Sequence, residues 1–312
     1  MTWLKKARGG KGLRYLRRNW MLYAMILPGI LYIIIFKYFP MYGITIAFKD
    51  YNGISDISRA PWVGMENFTK LFSTRAFQRA LENNIVISLA KLLFGFPVPI
   101  IMALMIDSVR KSGMKRLVQT SVILPNFISW VVVYGLMYAI FSPSTGAVSQ
   151  LLQFLGYDGK LPDILSSKET FRSVIVGSHI WKGAGIGTIV YLAAITGIDQ
   201  QLYEAAAIDG AGRFRQMWHI TLTGIRATII TLLIFRVGEV MYAGFDQIYA
   251  ISNDAVISVA DIIDTYVFRI GLEQRKFSLA TAAGLFQSLV GLVLVLITNK
   301  IAVKMDPDSG IM

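Results

Sequence analysis

Six long and almost uncharged apolar runs constrain this chain more than any other feature. They are Asn19 to Phe36, continuing apolar to Phe39, then Asn83 to Ile106, Leu117 to Phe141, Ser173 to Ile198, Ala227 to Phe245, and Phe277 to Asn299. A helix needs about 20 mainly apolar residues to cross a hydrocarbon layer roughly 30 Å thick, because lipid offers the backbone no hydrogen-bond partner. Charged residues make up 16% of the sequence, against roughly 25% in an ordinary soluble domain. The expected fold is therefore an all-α integral membrane protein with six transmembrane helices, about 19–39, 83–106, 117–141, 173–198, 227–245 and 277–299. The first run follows a basic stretch as a secretory signal would, but it is too long and lacks a small-x-small cleavage site, so it reads as a retained span.

Charge placement sets the expected orientation, since short positively charged loops stay in the cytoplasm. Residues 1–18 carry Lys5, Lys6, Arg8, Lys11, Arg14, Arg17 and Arg18 with no acid, and the turn 107–116 adds Arg110, Lys111, Lys115 and Arg116. With both termini inside, the cytoplasmic segments 1–18, 107–116, 199–226 and 300–312 hold 16 basic and 6 acidic residues. The outer segments 37–79, 142–172 and 243–279 hold 12 and 11. Much of the net charge of +12 then serves topology, and no nucleic-acid partner is needed to account for it. The chain divides into a basic N-terminal segment, 1–18, and a six-span body, 19–312. The sequence has no cysteine and two histidines, His179 and His219, which excludes thiol chemistry and argues against a metal site. No enzyme motif accompanies either histidine.

The connection 199–226 is longer than a turn requires and reads as two short helices. Asp199 caps the first, which is built on Ala205, Ala206 and Ala207; Asp209-Gly210 breaks it; Phe214 and Trp218 fall four apart in the second. Within it, Glu204-Ala205-Ala206, three residues, Gly210, nine residues and Ile220-Thr221-Leu222 resemble the EAA loop of bacterial ATP-binding-cassette importer permeases. The departure is Thr223, where that family usually has proline. The context Tyr203 to Ala211, Gly64-Met65-Glu66-Asn67-Phe68, and Trp181-Lys182-Gly183 followed by Tyr191-Leu192-Ala193-Ala194 look like the carbohydrate-uptake branch. Pro40-Met41-Tyr42-Gly43 looks like its LplB-like permeases of polysaccharide or complex-sugar systems.

The resemblance implies a type I importer permease fold in the bacterial cytoplasmic membrane, with Glu204, Ala205, Ala206, Asp209 and Gly210 forming the contact to a cytosolic ATPase. It implies as partners a second homologous permease, two ATPases and an external solute-binding lipoprotein. The chain has no GxxxxGK[ST] phosphate loop, so ATP and magnesium belong on the ATPase subunits and no cofactor is expected on this one.

Ionisable residues inside spans mark where a solute would pass. At 1.5 Å per residue, Arg236 and Glu239 lie roughly 14 and 18 Å deep, close to the midplane. They neutralise each other at i and i+3, and with Asp246 they form either a polar wall of the route or a buried structural pair. Lys91 and Lys182, roughly 22 and 24 Å from the inner end of their spans, are expected to snorkel outward. Asn126, Trp130, Tyr134 and Tyr138 recur every four residues, and such an aromatic face suits sugar rings; helix packing and an interfacial belt are the plainer account. Gly284, Ser288 and Gly291 form a small-residue strip for helix packing, with Gln287 a further candidate for the route. The expected function is import of oligosaccharides or polysaccharide fragments, with alternating access driven through the EAA loop. A polyamine or phosphate ester carried by the same machinery, and an ion-driven secondary transporter, remain as rivals.

Overall fold

A computed structural model of the chain describes residues 18–157, 159 and 162–305. The basic segment 1–17 and the tail 306–312 lie outside the described residues. The described chain is helical, with one isolated antiparallel bridge between Lys49 and Trp62.

Ten helices carry the architecture. They are α1 (Trp20–Phe48), α2 (Arg75–Asp107), α3 (Ser112–Phe127), α4 (Trp130–Phe141), α5 (Lys168–Thr196), α6 (Gln200–Ile208), α7 (Arg213–Gly224), α8 (Arg226–Met241), α9 (Phe245–Ile251) and α10 (Phe277–Lys304). By length and composition α1, α2 and α10 each suffice to cross a membrane, and three more crossings arise if α3 with α4, α5 with α6, and α7 with α8 each count as one bent span. α1 is apolar on every side and exposed along its first two turns and beyond; only its Phe39–Phe48 end packs, against α10 and the short helix Glu66–Ser73. A helix without a polar face is stable only where lipid or protein covers it.

Three apolar clusters hold the rest. One joins Phe68, Leu71, Phe77, Tyr266 and Ala283 from α2, α10 and the outer helices. A second sets Ile87 and Ile175 against Ile248, Ile251 and Ile262, with Trp130, Tyr134 and Met137 of α4 packed on it. The third gathers Ile106, Tyr191, Ile195 and Ile225, so the end of α2 and the bases of α5 and α8 meet at the face that carries the 107–116 turn and the α6–α7 hairpin.

The expected third span is not one helix. α3 and α4 meet at 104°, so Asn126 and Trp130 do not share a helical face, and the four-residue stripe is cut after its first member. Pro125 opens a 3-10 turn, Ile128 is extended, and Ser129 starts α4 afresh, its Oγ accepting from the Val132 amide at 3.4 Å. Proline lacks the donor that an α-helix needs, and serine is a favoured N-cap. The bend brings α3 against α5 closely enough that a Cβ at Gly185 would overlap the Val122 carbonyl.

α8 also stops inside its expected span. Its last carbonyl and that of Ala243 just beyond it are taken by side chains from other elements: Asn84 Nδ2 donates to Met241 O at 3.1 Å, Gln287 Nε2 to the same oxygen at 2.6 Å, and Lys91 Nζ to Ala243 O at 2.6 Å. Helix ends leave carbonyls without partners, and a break inside a membrane requires such replacements. Gly244 turns the chain at φ 100°, a conformation suited to glycine, and α9 follows.

Candidate functional site

A cavity of about 520 Å³ opens between α2, α5 and α8, closed on one side by Asn126 and Trp130 at the α3–α4 break. Of the seven residues read from the sequence as candidates for the route, Asn126, Trp130, Arg236 and Glu239 line it. The guanidinium of Arg236 donates to Glu239 Oε2 at 3.2 Å, and both side chains are more than half exposed to the open space beside them.

Three others stand elsewhere. Tyr134 packs on the second apolar cluster, its ring 6.3 Å from that of Tyr138. Asp246 is exposed on α9, away from the cavity walls. Gln287 is buried and spends its amide on Met241 O and, at 2.9 Å, on Asp264 Oδ1, a structural tie between α10, the end of α8 and the outer helix Ile263–Phe268. Burial lifts the Asp264 carboxyl above the ordinary carboxylate range, and the Gln287 hydrogen bond draws it part of the way back. In the small-residue strip, Gly291 backs onto the Gly238 carbonyl, and Ser288 Oγ lies 3.2 Å from the Tyr242 hydroxyl.

The two lysines do not snorkel. Lys91 is buried, its Nζ donating to Ala243 O and, at 2.5 Å, to Gln247 Oε1. Gln247 in turn donates to Ile175 O at 2.7 Å and Ser178 Oγ at 2.9 Å, so one amide ties α9 to α2 and α5. Lys182 reaches sideways to Asn126 O at 2.8 Å and lies 5.4 Å from the centre of the Trp130 ring. Both line the cavity, as do His179, Ser88 and Tyr191. The sequence signal for the lysines was their isolation in apolar runs. What it lacked was a partner, because the acceptors are backbone carbonyls and an amide distant in the chain. No group of His, Asp or Glu among the described residues is arranged to hold a metal ion.

The second feature is the α6–α7 hairpin. Asp199 caps α6, its carboxylate accepting from the Gln201 amide at 2.9 Å. Gly210 sits at φ 74°, and the Ala211 amide returns to Ala206 O at 2.8 Å, closing the helix end. Glu204, Ala205, Asp209 and Gly210 are exposed and Ala206 is half-buried. Ile208 is 87% exposed, and the stacked rings of Phe214 and Trp218 are 73% and 57% exposed. The hydroxyls of Tyr203 and Thr221, 2.9 Å apart, pin α6 to α7. Ile208, Phe214 and Trp218 thus leave an uncovered apolar patch on the hairpin.

Broken helices around a polar cavity, with an uncovered hairpin at one face, define a helical membrane permease. The family model described as binding-protein-dependent transport system inner membrane component matches residues 95–308, and the chain belongs to that family. It is 45% identical to Protein LplB of Bacillus subtilis (strain 168), over 96% of this chain and 95% of that one. It is 44% identical to the polygalacturonan/rhamnogalacturonan transport system permease protein YteP of the same organism, over 92% and 89%. A bacterial alginate ABC transporter, solved by crystallography in complex with alginate pentasaccharide-bound periplasmic protein, superposes with a TM-score of 0.85 at 42% identity, covering 94% of this chain and 97% of that one.

Proposed function

We propose that this chain is one permease subunit of an ATP-driven importer for oligosaccharides or polysaccharide fragments in the bacterial cytoplasmic membrane. It crosses the membrane six times, through α1, α2, the bent α3–α4 pair, α5, α8 and α10, with both termini and the 107–116 and 199–226 segments on the cytoplasmic side. With a second homologous permease it encloses the route. Two cytosolic ATPases, which bind ATP and magnesium, drive alternating access, and an external solute-binding lipoprotein delivers the sugar.

The α6–α7 hairpin carries this reading. Glu204, Ala205, Ala206, Asp209 and Gly210 form a short helix and turn that enters a groove on an ATPase, with Ile208, Phe214 and Trp218 as apolar anchors. Ala205 lets the helix approach closely, and Gly210 fixes the turn. The relatives support the substrate: one is named for polygalacturonan and rhamnogalacturonan transport and the solved neighbour for alginate. Asn126, Trp130, Arg236 and Glu239 face the substrate in the cavity.

The test is to purify the tagged chain from its own membranes in mild detergent and compare it with Ala206→Trp and Gly210→Val. An ATPase and a second permease accompany the wild type, and the ATPase is lost from the variants. Purification of the chain alone, with uptake that follows an ion gradient, would sink the reading.

A further inference from the structure

The 107–116 turn carries more positive charge than it pairs. Its one acid, Asp107, is taken by Lys115, whose Nζ lies 3.0 Å from Asp107 Oδ1. Arg110, Lys111 and Arg116 are exposed, and their side chains make no ion pair or hydrogen bond among the described residues. Orientation in the membrane explains why a cytoplasmic turn is basic. It does not explain why these three stand at the head of a helix whose outward side is apolar.

That helix, α3, packs on the third apolar cluster through Val118 and Val122. Helical spacing turns Met114, Leu117, Ser121 and Leu124 to the other side. Met114, Leu117 and Leu124 are more than half exposed there, as is Phe127 in the closing turn. Ser121 spends its hydroxyl on Leu117 O at 2.9 Å, and a Cβ at Gly113 would meet nothing. No described residue covers this face. From Leu117 to Phe127 the chain rises about 15 Å, which is half of a hydrocarbon core roughly 30 Å thick. Three unpaired cations at one end of an apolar face one leaflet long complement an amphiphile with an anionic head. A soluble partner would meet the cations and leave Leu124 and Phe127 bare.

We propose that the 107–116 turn and the outward face of α3 bind an anionic phospholipid of the cytoplasmic leaflet. Arg110, Lys111 and Arg116 hold the phosphate, and Leu117, Leu124 and Phe127 support an acyl chain. A guanidinium offers paired donors to phosphate oxygens, and each basic side chain near the surface adds to the attraction for anionic lipid. This rests on the orientation proposed above, which sets the turn at the cytoplasmic surface, and is independent of the transported solute.

The full-length chain, purified in mild detergent with whatever subunits accompany it, is titrated with phosphatidylglycerol and with phosphatidylcholine of the same acyl chains, and bound lipid is counted by native mass spectrometry. Phosphatidylglycerol is expected to bind at least about tenfold more tightly, with an advantage that shrinks as salt is raised. Replacing Arg110, Lys111 and Arg116 together by Gln should bring the two lipids level. Leu117→Ser with Leu124→Ser should weaken both lipids alike. Equal binding of the two lipids by the wild type overturns the inference and needs no variant, so it stands even if a substitution prevents assembly. A preference that survives the triple Gln variant places anionic lipid elsewhere and overturns it too. Displacement of phosphatidylglycerol by equimolar inorganic phosphate would make the turn a site for free anions and not for lipid. Loss of a co-purifying ATPase from the triple variant, with the lipid preference kept, would make the turn a protein contact. In each case recovery of the ATPase with the wild-type chain still decides the importer reading separately.

Discussion

Lys91 and Gln247, 156 positions apart, meet at 2.5 Å between the middle of α2 and the start of α9. The glutamine is buried and fully used, accepting from the ammonium and donating to Ile175 O and Ser178 Oγ on α5. A buried amine with its acceptor removed retains the cost of its desolvation without the compensation. Gln247→Leu should lower stability by about 2–3 kcal/mol, read from thermal unfolding of the detergent-solubilised protein. Adding Lys91→Met should recover part of the loss, since the orphaned buried donor is then gone; additive losses would mean that the two residues act separately.

Gly185 on α5 lies against the backbone of Val122 and Ile123, where a side chain has nowhere to go. Gly185→Ala should force α3 away from α5 and cost about 1–3 kcal/mol. At Gly113, where a Cβ would meet nothing, the same substitution should leave the unfolding temperature in place or raise it slightly. A matching loss at both positions would deny that the α3–α5 contact is close.

The apolar residues of the hairpin should separate stability from assembly. Phe214 and Trp218 are mostly exposed, so Phe214→Ser with Trp218→Ser should change stability by no more than about 0.5 kcal/mol. The same pair of substitutions should abolish recovery of the ATPase with the tagged chain. Retention of the ATPase at wild-type yield would remove these rings from the contact.

Asp264 gives a pH dependence of determinate sign. Its folded pKa is raised above the usual 3.8, mainly by burial, so ionising it costs more in the folded protein than in the unfolded one. That penalty is absent below the unfolded pKa and grows as pH rises through the folded one. Asp264→Asn keeps an oxygen for the Gln287 amide and removes the charge, so it should be more stable than the wild type at neutral pH. The gap should close as the medium is acidified toward pH 3.8. Denaturation temperatures of the two proteins across this range decide the matter, and a gap that widens on acidification would contradict the assignment.

The helical membrane class was legible from the six apolar runs, since only a helix satisfies its own backbone in lipid. Asp199, the alanines and Gly210 likewise announced the α6 hairpin, because capping, propensity and a positive φ are local properties. Even the α3–α4 break had its marks in Pro125 and Ser129, although a regular four-residue aromatic spacing pointed the other way. That spacing implied a shared face only if the helix were continuous.

The cavity was another matter. Arg236 and Glu239 pair at i and i+3, a distance that sequence spacing encodes. Lys91 and Lys182 find acceptors 152 and 56 positions away, at Ala243 and Asn126, and these acceptors are main-chain oxygens that any residue type would supply. Snorkelling was the natural expectation for a lysine on an isolated helix. Packing against α9 and the broken third span made inward hydrogen bonds available instead, and so placed two lysines on the wall of the cavity. The sequence by itself thus determined which segments are helices and where the hairpin turns. Only the tertiary structure decided which charges face one another, because the ends of helices far apart in the chain expose their carbonyls where the bundle folds them together.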